Sequence, residues 1–185
     1  MGNQIAHVML VGCKNSGKTT LFSQLVTKKE VIGDVYVPTD AFNRSEIDVK
    51  DCKVTLTDVS GDIKNRSQWG NFYEESDGII FMIDASKLRK HAQEVATTFW
   101  TVLSDKRMRN TPALVLVNKC DLLSASSSRD DTAAWVRHRL RLDEMHVNAN
   151  VMAVSLKEGL GNINSGLEWL VQAVEEAKKV KLHDI

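Results

Sequence analysis

The chain has 185 residues, of which 43% are hydrophobic and 26% are charged. This length and apolar content predict a single folded domain over residues 1–185 and exclude an intrinsically disordered protein. The 24 Lys and Arg residues balance the 24 Asp and Glu residues, so the basic excess that is typical of a nucleic-acid-binding protein is missing, and no nucleic-acid partner is expected.

Short apolar runs alternate with segments of helical spacing, and none reaches the roughly 20 residues that would predict a membrane span. An apolar run predicts a buried strand at residues 6–11, and helical spacing predicts a helix over residues 18–28. Residues 30–44 show no period and predict a loop, and the alternating segments 45–49 and 53–58 predict a hairpin. The remaining predicted elements are strands at 78–83, 113–117 and 151–154 and helices around 95–103, 131–142 and 167–174.

Strands that alternate with helices predict an α/β fold, in which a mostly parallel sheet carries helices on both faces. Ligands of such sheets bind beyond the carboxyl ends of the strands. We therefore expect the functional residues in the segments that directly follow the strands.

The sequence GCKNSGKT at residues 12–19 fits the G-x-x-x-x-G-K-[ST] phosphate-binding loop at every fixed position. It lies between a predicted strand and a predicted helix, where loop N–H groups and the helix N-terminus favour an anion. We expect Lys18 to contact the β- and γ-phosphates and Thr19 to bind Mg²⁺ through its hydroxyl. A glycine-rich turn is the alternative, and the motif does not distinguish ATP from GTP. The expected nucleotide-binding residues are Gly12, Lys14, Asn15, Ser16, Gly17, Lys18, Thr19 and Thr20.

A second motif, Asn118-Lys119-Cys120-Asp121, follows the predicted strand at 113–117. The Asp121 carboxylate can accept both the N1–H and the 2-amino hydrogens of guanine, a pair that adenine does not offer. We expect Asn118 to tie the base pocket to the phosphate loop and the Lys119 stem to lie along the base. Together with the phosphate loop, this N-K-x-D motif predicts a guanine-nucleotide site.

A third segment, Ser155-Leu156-Lys157, follows the last predicted strand. This segment would place a backbone N–H near the O6 atom of guanine. A turn that begins at Ser155 is the alternative, because Gly159 and Gly161 follow within a few residues.

These motifs resemble those of small GTP-binding proteins of the Ras superfamily, and most of all the ADP-ribosylation factor and Arf-like (Arf/Arl) family. The sequence VPTDAFN at residues 37–43 is similar to the first switch of that family, and DVSG at 58–61 is similar to the start of its second switch. Trp69 follows Gly61 by eight residues, as in the family, and GLEWL at 166–170 is also Arf-like. The resemblance covers nearly the whole chain.

The resemblance implies a P-loop NTPase fold, a three-layer αβα sandwich with a six-stranded, mostly parallel sheet. It implies that Thr39 and Asp58 bind Mg²⁺ together with Thr19, and that the Gly61 amide bonds the γ-phosphate. Thr39 and Gly61 also bind the nucleotide, and both loops rearrange when the γ-phosphate leaves. An ordinary loop threonine is the alternative for Thr39. The implied catalytic residues are Lys18, Thr39, Gly61 and Asp62.

The function that follows is a Mg²⁺-dependent switch that binds GTP or GDP and acts in vesicular or ciliary membrane trafficking. Effector, exchange-factor and GTPase-activating proteins would bind at residues 37–75. The resemblance also implies a cytoplasmic protein with peripheral association with intracellular membranes. Three widely spaced cysteines are typical of a reducing cytosol and agree with this location.

The sequence departs from the family pattern at three places. Asp62 stands where the family has Gln, and because a carboxylate cannot donate a hydrogen bond to the attacking water, we expect slow or partner-assisted hydrolysis. Thr57 stands where many members have Trp, which leaves Phe42, Trp69 and Phe72 as aromatic residues of an effector surface or of packing between the switches.

The third departure is at the N-terminus. Residues 1–5 precede the first predicted strand, where the family usually has an amphipathic helix, and Ala6 departs from the Ser or Thr of a myristoylation motif. A truncated and a naturally short N-terminus both agree with this pattern.

Two other functions compete with an Arf-like switch. In a receptor subunit similar to signal-recognition-particle receptor β, GTP would support assembly rather than turnover, and an apolar stretch of about 20 residues upstream of residue 1 would favour it. An ATP-dependent P-loop kinase is the second competitor, and the motif at 118–121 argues against it.

Overall fold

The computed structural model describes residues 5–27, 42–124 and 126–183. The strands in this part of the chain are β1 Ile5–Gly12, β2 Phe42–Val49, β3 Cys52–Val59, β4 Gly78–Asp84, β5 Ala113–Asn118 and β6 Ala149–Ala153. They form one six-stranded sheet in the order β2-β3-β1-β4-β5-β6. The α-helices are α1 Lys18–Thr27, α2 Leu88–Leu103, α3 Arg129–Arg139 and α4 Gly161–His183.

The sheet is mostly parallel, because β2 and β3 form an antiparallel hairpin while β3, β1, β4, β5 and β6 run in one direction. The helices cover both faces of the sheet. Leu21 of α1 and Leu170 of α4 belong to one apolar cluster, and Phe99 of α2 and Val136 of α3 belong to the other. This arrangement confirms the predicted three-layer αβα architecture.

The central strand β1 shows why the apolar runs predict buried parallel strands. Leu10 points into the cluster with α1 and α4, and Met9 and Val11 point into the cluster with α2 and α3. A parallel strand with helices on both sides buries every side chain and therefore reads as a continuous apolar run.

The predicted loop over residues 30–44 is wrong at its end, because β2 begins at Phe42. The first three residues of this edge strand are exposed, so the alternation that identifies a half-buried strand is absent there. A 3₁₀ helix at Ile63–Phe72 is also absent from the sequence prediction. The predicted helix over 131–142 instead covers Arg129–Arg139. No helix in the described ranges is both long and apolar enough to cross a membrane.

Candidate functional site

An open cavity of about 640 Å³ lies at the edge of the sheet where the parallel strands end. The phosphate loop follows β1, Gly61 follows β3, and Lys119 follows β5. The fold thereby brings residues that are distant in sequence to one cavity. Nine of the predicted site residues line it, namely Lys14, Asn15, Gly17, Lys18, Thr19, Thr20, Gly61, Asp62 and Lys119.

Two glycines of the phosphate loop pack too closely for a side chain. Gly12 has a φ of +143°, and a Cβ at this position would lie 2.3 Å from the carbonyl oxygen of Met82 in β4. Gly17 has a φ of +102°, and its Cβ would lie 2.4 Å from Nδ2 of Asn118 in β5. The motif requires glycine at both positions because the loop turns tightly against two neighbouring strands.

Lys18 is only 6% exposed, and its Nζ donates a hydrogen bond to the carbonyl oxygen of Cys13 at 3.0 Å. Burial lowers the pKa of Lys18 to about 8, and the Asp58 carboxylate offsets only part of this effect. Gly61 packs against the same ammonium group, since a Cβ there would lie 2.3 Å from Nζ. An anionic phosphate in the cavity would favour the charged form of Lys18.

The buried side chain of Asn118 joins the phosphate loop to the segment after β6. Its Nδ2 donates to the carbonyl oxygen of Ser16 at 3.0 Å, and its Oδ1 accepts from the N–H of Leu156 at 3.1 Å. Asn118 therefore fixes the position of the phosphate loop relative to the segment after β6.

Asp121 lies in the short 3₁₀ turn Cys120–Leu122 that follows Lys119. The Ser155 hydroxyl donates to its Oδ1 at 2.7 Å, and Nζ of Lys157 lies 3.4 Å from its Oδ2. Burial acts to raise the pKa of Asp121, but the hydrogen bonds from Ser155 and Lys157 outweigh it and leave the pKa below its usual value. The carboxylate is therefore ionised at neutral pH and can accept hydrogen bonds from a base.

Lys119 pairs with an acidic residue, Asp84, that the sequence motifs do not identify. Lys119 has a left-handed φ of 67°, and its Nζ lies 2.7 Å from Oδ2 of Asp84. Asp84 is the last residue of β4, and its Oδ1 accepts from the backbone N–H of Ser86 at 3.0 Å. The signal that could have identified Asp84 is its position, because a polar residue at the carboxyl end of a parallel strand lies at the site edge.

Asp58 and Thr19 fit a magnesium site by the chemistry of their oxygen atoms. Asp58 is fully buried near the end of β3 beside Lys18, and Thr19 lines the cavity. Carboxylate and hydroxyl oxygens are ligands that Mg²⁺ prefers. Thr39 and the rest of the first-switch motif up to residue 41 lie outside the described residues. Among the residues that are described, no group of three or more His, Cys, Asp or Glu side chains is placed to hold a metal ion.

Asp62 connects the phosphate loop to the 3₁₀ helix that begins at Ile63. Its Oδ2 lies 3.0 Å from Nζ of Lys14, and its Oδ1 accepts from the backbone N–H of Lys64 at 3.1 Å. The hydrogen bond from Lys14, followed by that from Lys64, holds the pKa of Asp62 below its usual value. Asp62 is thus an ionised carboxylate at the phosphate end of the cavity.

Ser60 organises the same segment. Its carbonyl oxygen accepts from Nε1 of Trp69 at 2.9 Å, and its hydroxyl oxygen accepts from Nδ2 of Asn65 at 3.1 Å and from the N–H of Asp62 at 3.4 Å. Trp69 is only 2% exposed. Of the three aromatic residues predicted for an effector surface or for packing, Trp69 therefore packs inside the protein.

The other two aromatic residues contact each other at the surface, where Phe42 is exposed and Phe72 is half-buried. Phe42 is 48% exposed, and its ring centroid lies 5.0 Å from that of Phe72. Arg44 lies 5.9 Å from both ring centroids, donates from Nε to the Thr57 hydroxyl at 3.0 Å, and forms an ion pair with Glu75. Arg44 thus packs beside Thr57, a contact that the sequence does not predict.

Arg66 links the segment after β3 to α2. It donates from Nη2 to Glu94 and from Nη1 to the Thr98 hydroxyl, both at 2.9 Å. The Cys13 thiol of the phosphate loop lies 3.9 Å from the same hydroxyl. The phosphate loop, the segment after β3 and α2 therefore meet at Thr98, a junction that the sequence does not predict.

Comparisons with known proteins point to one family. The family model described as "ADP-ribosylation factor family" matches residues 1–174. The chain is 31% identical over 173 residues to ADP-ribosylation factor-like protein 3 of Caenorhabditis elegans, and the aligned residues cover 93% of this chain and 89% of the relative.

Two solved structures share the fold. The Arl6 BBS3 small GTPase from Trypanosoma brucei with bound nucleotide analogue GppNp is similar with a TM-score of 0.76 and 23% identity, over 94% of this chain and 99% of that chain. The mammalian SRP receptor structure is similar with a TM-score of 0.73 and 19% identity, over 89% of this chain and 99% of that chain.

Proposed function

The chain belongs to the ADP-ribosylation factor family of small GTPases, and on this premise we propose that its cavity binds GTP with Mg²⁺ and hydrolyses it slowly. The observation that carries the proposal is the position of Asn118. One buried side chain bonds both Ser16 of the phosphate loop and Leu156 beside Asp121. This connection holds the phosphate loop in a fixed position relative to the segment that contacts Asp121.

Guanine selectivity rests on Asp121. Its ionised carboxylate is oriented by Ser155, and it can accept two hydrogen bonds from guanine but not from adenine. We expect Asp121→Asn to lower GTP affinity by about 100-fold or more, and to admit xanthosine triphosphate, because the amide offers a donor to the xanthine oxygen. Competition binding measures both effects.

Asp130→Asn is the matched control, because Asp130 lies in the first turn of α3 away from the cavity. GTP affinity that stays the same in Asp121→Asn would remove Asp121 as the residue that recognises the base. ATP that competes as well as GTP in the wild type would contradict the proposed substrate and favour a P-loop kinase.

The residues at the phosphate end support hydrolysis by holding charge in place. Lys18 is fixed by the Cys13 carbonyl and by Gly61, so that its ammonium can stabilise negative charge on the γ-phosphate oxygens. Mg²⁺, which Thr19 and Asp58 would hold, supplies further neutralisation of phosphate charge.

The slow rate follows from Asp62. Its carboxylate pairs with Lys14 and cannot donate a hydrogen bond to the attacking water or to the γ-phosphate. In single-turnover assays, we expect Asp62→Gln to hydrolyse GTP faster than the wild type by about tenfold or more, the scale of one added transition-state contact. Asp62→Ala separates charge from positioning, because it removes the carboxylate without adding a donor. If the wild type hydrolysed GTP as fast as Asp62→Gln, the proposal that Asp62 slows hydrolysis would be refuted.

A role in which GTP supports assembly rather than turnover is the second candidate, and the charged Asp62 favours it. The first experiment is to denature the purified protein and to chromatograph the nucleotide that is released. Mostly GTP would support slow hydrolysis and the assembly role, and mostly GDP would support an ordinary cycling switch. An adenine nucleotide would contradict guanine binding.

We also propose that the protein is a cytoplasmic switch in vesicular or ciliary trafficking that associates peripherally with membranes. The surface contact of Phe42, Phe72 and Arg44 supports a partner site within residues 37–75, because aromatic residues and arginine are enriched at interfaces. Flotation with liposomes and capture from a cell extract, each with GTPγS-loaded and GDP-loaded protein, test this role. Equal behaviour of the two loaded forms would contradict a switch.

A further inference from the structure

Lys14 and Asp62 form an ion pair at the phosphate end of the cavity that neither motif explains. Nζ of Lys14 lies 3.0 Å from Oδ2 of Asp62, across 48 residues of sequence. Both residues line the cavity. The carboxylate cannot turn away easily, because its other oxygen accepts from the backbone N–H of Lys64 at 3.1 Å.

Asp62 lies where its negative charge would oppose a terminal phosphate. Its neighbour Gly61 packs so tightly on Lys18 that a Cβ would lie 2.3 Å from Nζ. A carboxylate one residue further along therefore faces the same end of the cavity as the ammonium group that would hold the β- and γ-phosphates. Like charges in this position weaken the binding of a triphosphate more than that of a diphosphate, since only the triphosphate carries the additional anionic group.

Lys14 is the cation that contacts this carboxylate. Two of the other three lysines that line the cavity have other partners, because Lys18 donates to Cys13 and Lys119 pairs with Asp84. The Lys14 side chain is 58% exposed, so its ammonium can follow small movements of Asp62 when a nucleotide enters.

We infer that Lys14 is a specificity-determining residue, whose ammonium neutralises Asp62 and thereby allows this site to hold GTP in preference to GDP. The inference rests on the proposed function, since it concerns the same nucleotide site. It assigns to Lys14 a role that acts through Asp62 and not through the shape of the phosphate loop. A purely structural role would lower GTP and GDP affinity together, whereas this role changes their ratio.

The test is a double-mutant cycle on the Mg²⁺-loaded protein, in which GTP and GDP affinities are measured by titration. We expect Lys14→Met to lower the ratio of GTP affinity to GDP affinity by about two- to fivefold, the scale of one exposed charge pair. In an Asp62→Asn background, the same substitution should leave the ratio unchanged within about 1.5-fold. Lys14→Arg keeps the charge and should keep the ratio.

Lys90→Met is the matched control, because it removes an exposed positive charge that neither lines the cavity nor acts on Asp62. An unchanged ratio in Lys14→Met would overturn the inference. An equal fall of the ratio in both backgrounds would also overturn it, since Lys14 would then act without Asp62. If the wild type bound neither nucleotide, the proposed function itself would fail, so the two failures are distinguishable.

Discussion

Asn118→Ala is the substitution that best tests the architecture of the site. Removal of the amide leaves the Ser16 carbonyl and the Leu156 N–H without their buried partner. Each unsatisfied buried group costs about 1–3 kcal/mol, and water that enters the space recovers part of this. We therefore expect a loss of about 2–4 kcal/mol in the free energy of unfolding, a large share of the ~5–15 kcal/mol that stabilises a typical protein.

Thermal unfolding followed by circular dichroism measures this loss. For a chain of this size, the expected loss lowers Tm by about 4–16 °C. Titration with fluorescent GTP and GDP should show that both affinities fall by a similar factor, because Asn118 positions the loop and not the terminal phosphate. Asn164→Ala, at an exposed position of α4, is the control and should stay within about 0.5 kcal/mol of the wild type.

Two results would refute the reasoning about Asn118. A loss in unfolding free energy below about 1 kcal/mol would mean that the two hydrogen bonds contribute only their small net value. A fall of GTP affinity alone would mean that Asn118 acts at the γ-phosphate.

Two further substitutions test packing at the site, each with a control. Gly12→Ala places a Cβ 2.3 Å from a backbone oxygen of β4, so we expect a loss of more than about 2 kcal/mol in urea unfolding. In Gly161→Ala the added Cβ has no atom within 4 Å, so this control should be neutral or slightly stabilising. An equal loss of unfolding free energy in both variants would contradict the argument. Trp69→Phe removes the hydrogen bond to the Ser60 carbonyl and should cost about 1–3 kcal/mol. The partly exposed Trp135→Phe should change Tm little, and a stable Trp69→Phe protein would show that this bond is dispensable.

The sequence predicts the α/β architecture well because its signals are local. A buried parallel strand such as β5 is a continuous apolar run, and the phosphate loop is identified by the fixed spacing of its glycines, lysine and threonine within one short segment. Where the local signal is absent, the prediction fails. In the described helix Ile63–Phe72, Trp69 alone is buried, so no hydrophobic period marks the element.

The pairings between distant residues are the part that the sequence does not predict. Lys14 contacts Asp62 because the neighbouring strands β1 and β3 end side by side, and Lys119 contacts Asp84 because β5 and β4 do. The order of strands in the sheet decides these contacts, and a charge pattern along one segment carries no information about its partner in another. Motifs therefore identify which residues can bind a nucleotide, but not which charges hold them in place.

The bonds at Ser60 have a consequence for the entropy of ligand binding. A free loop must lose about 1–2 kcal/mol of conformational freedom per residue when a ligand fixes it. Trp69, Asn65 and the Asp62 amide already hold Ser60, so folding restricts this part of the loop before any nucleotide arrives. A ligand that contacts the Gly61 amide then needs to order fewer residues, and more of its contact energy appears as affinity.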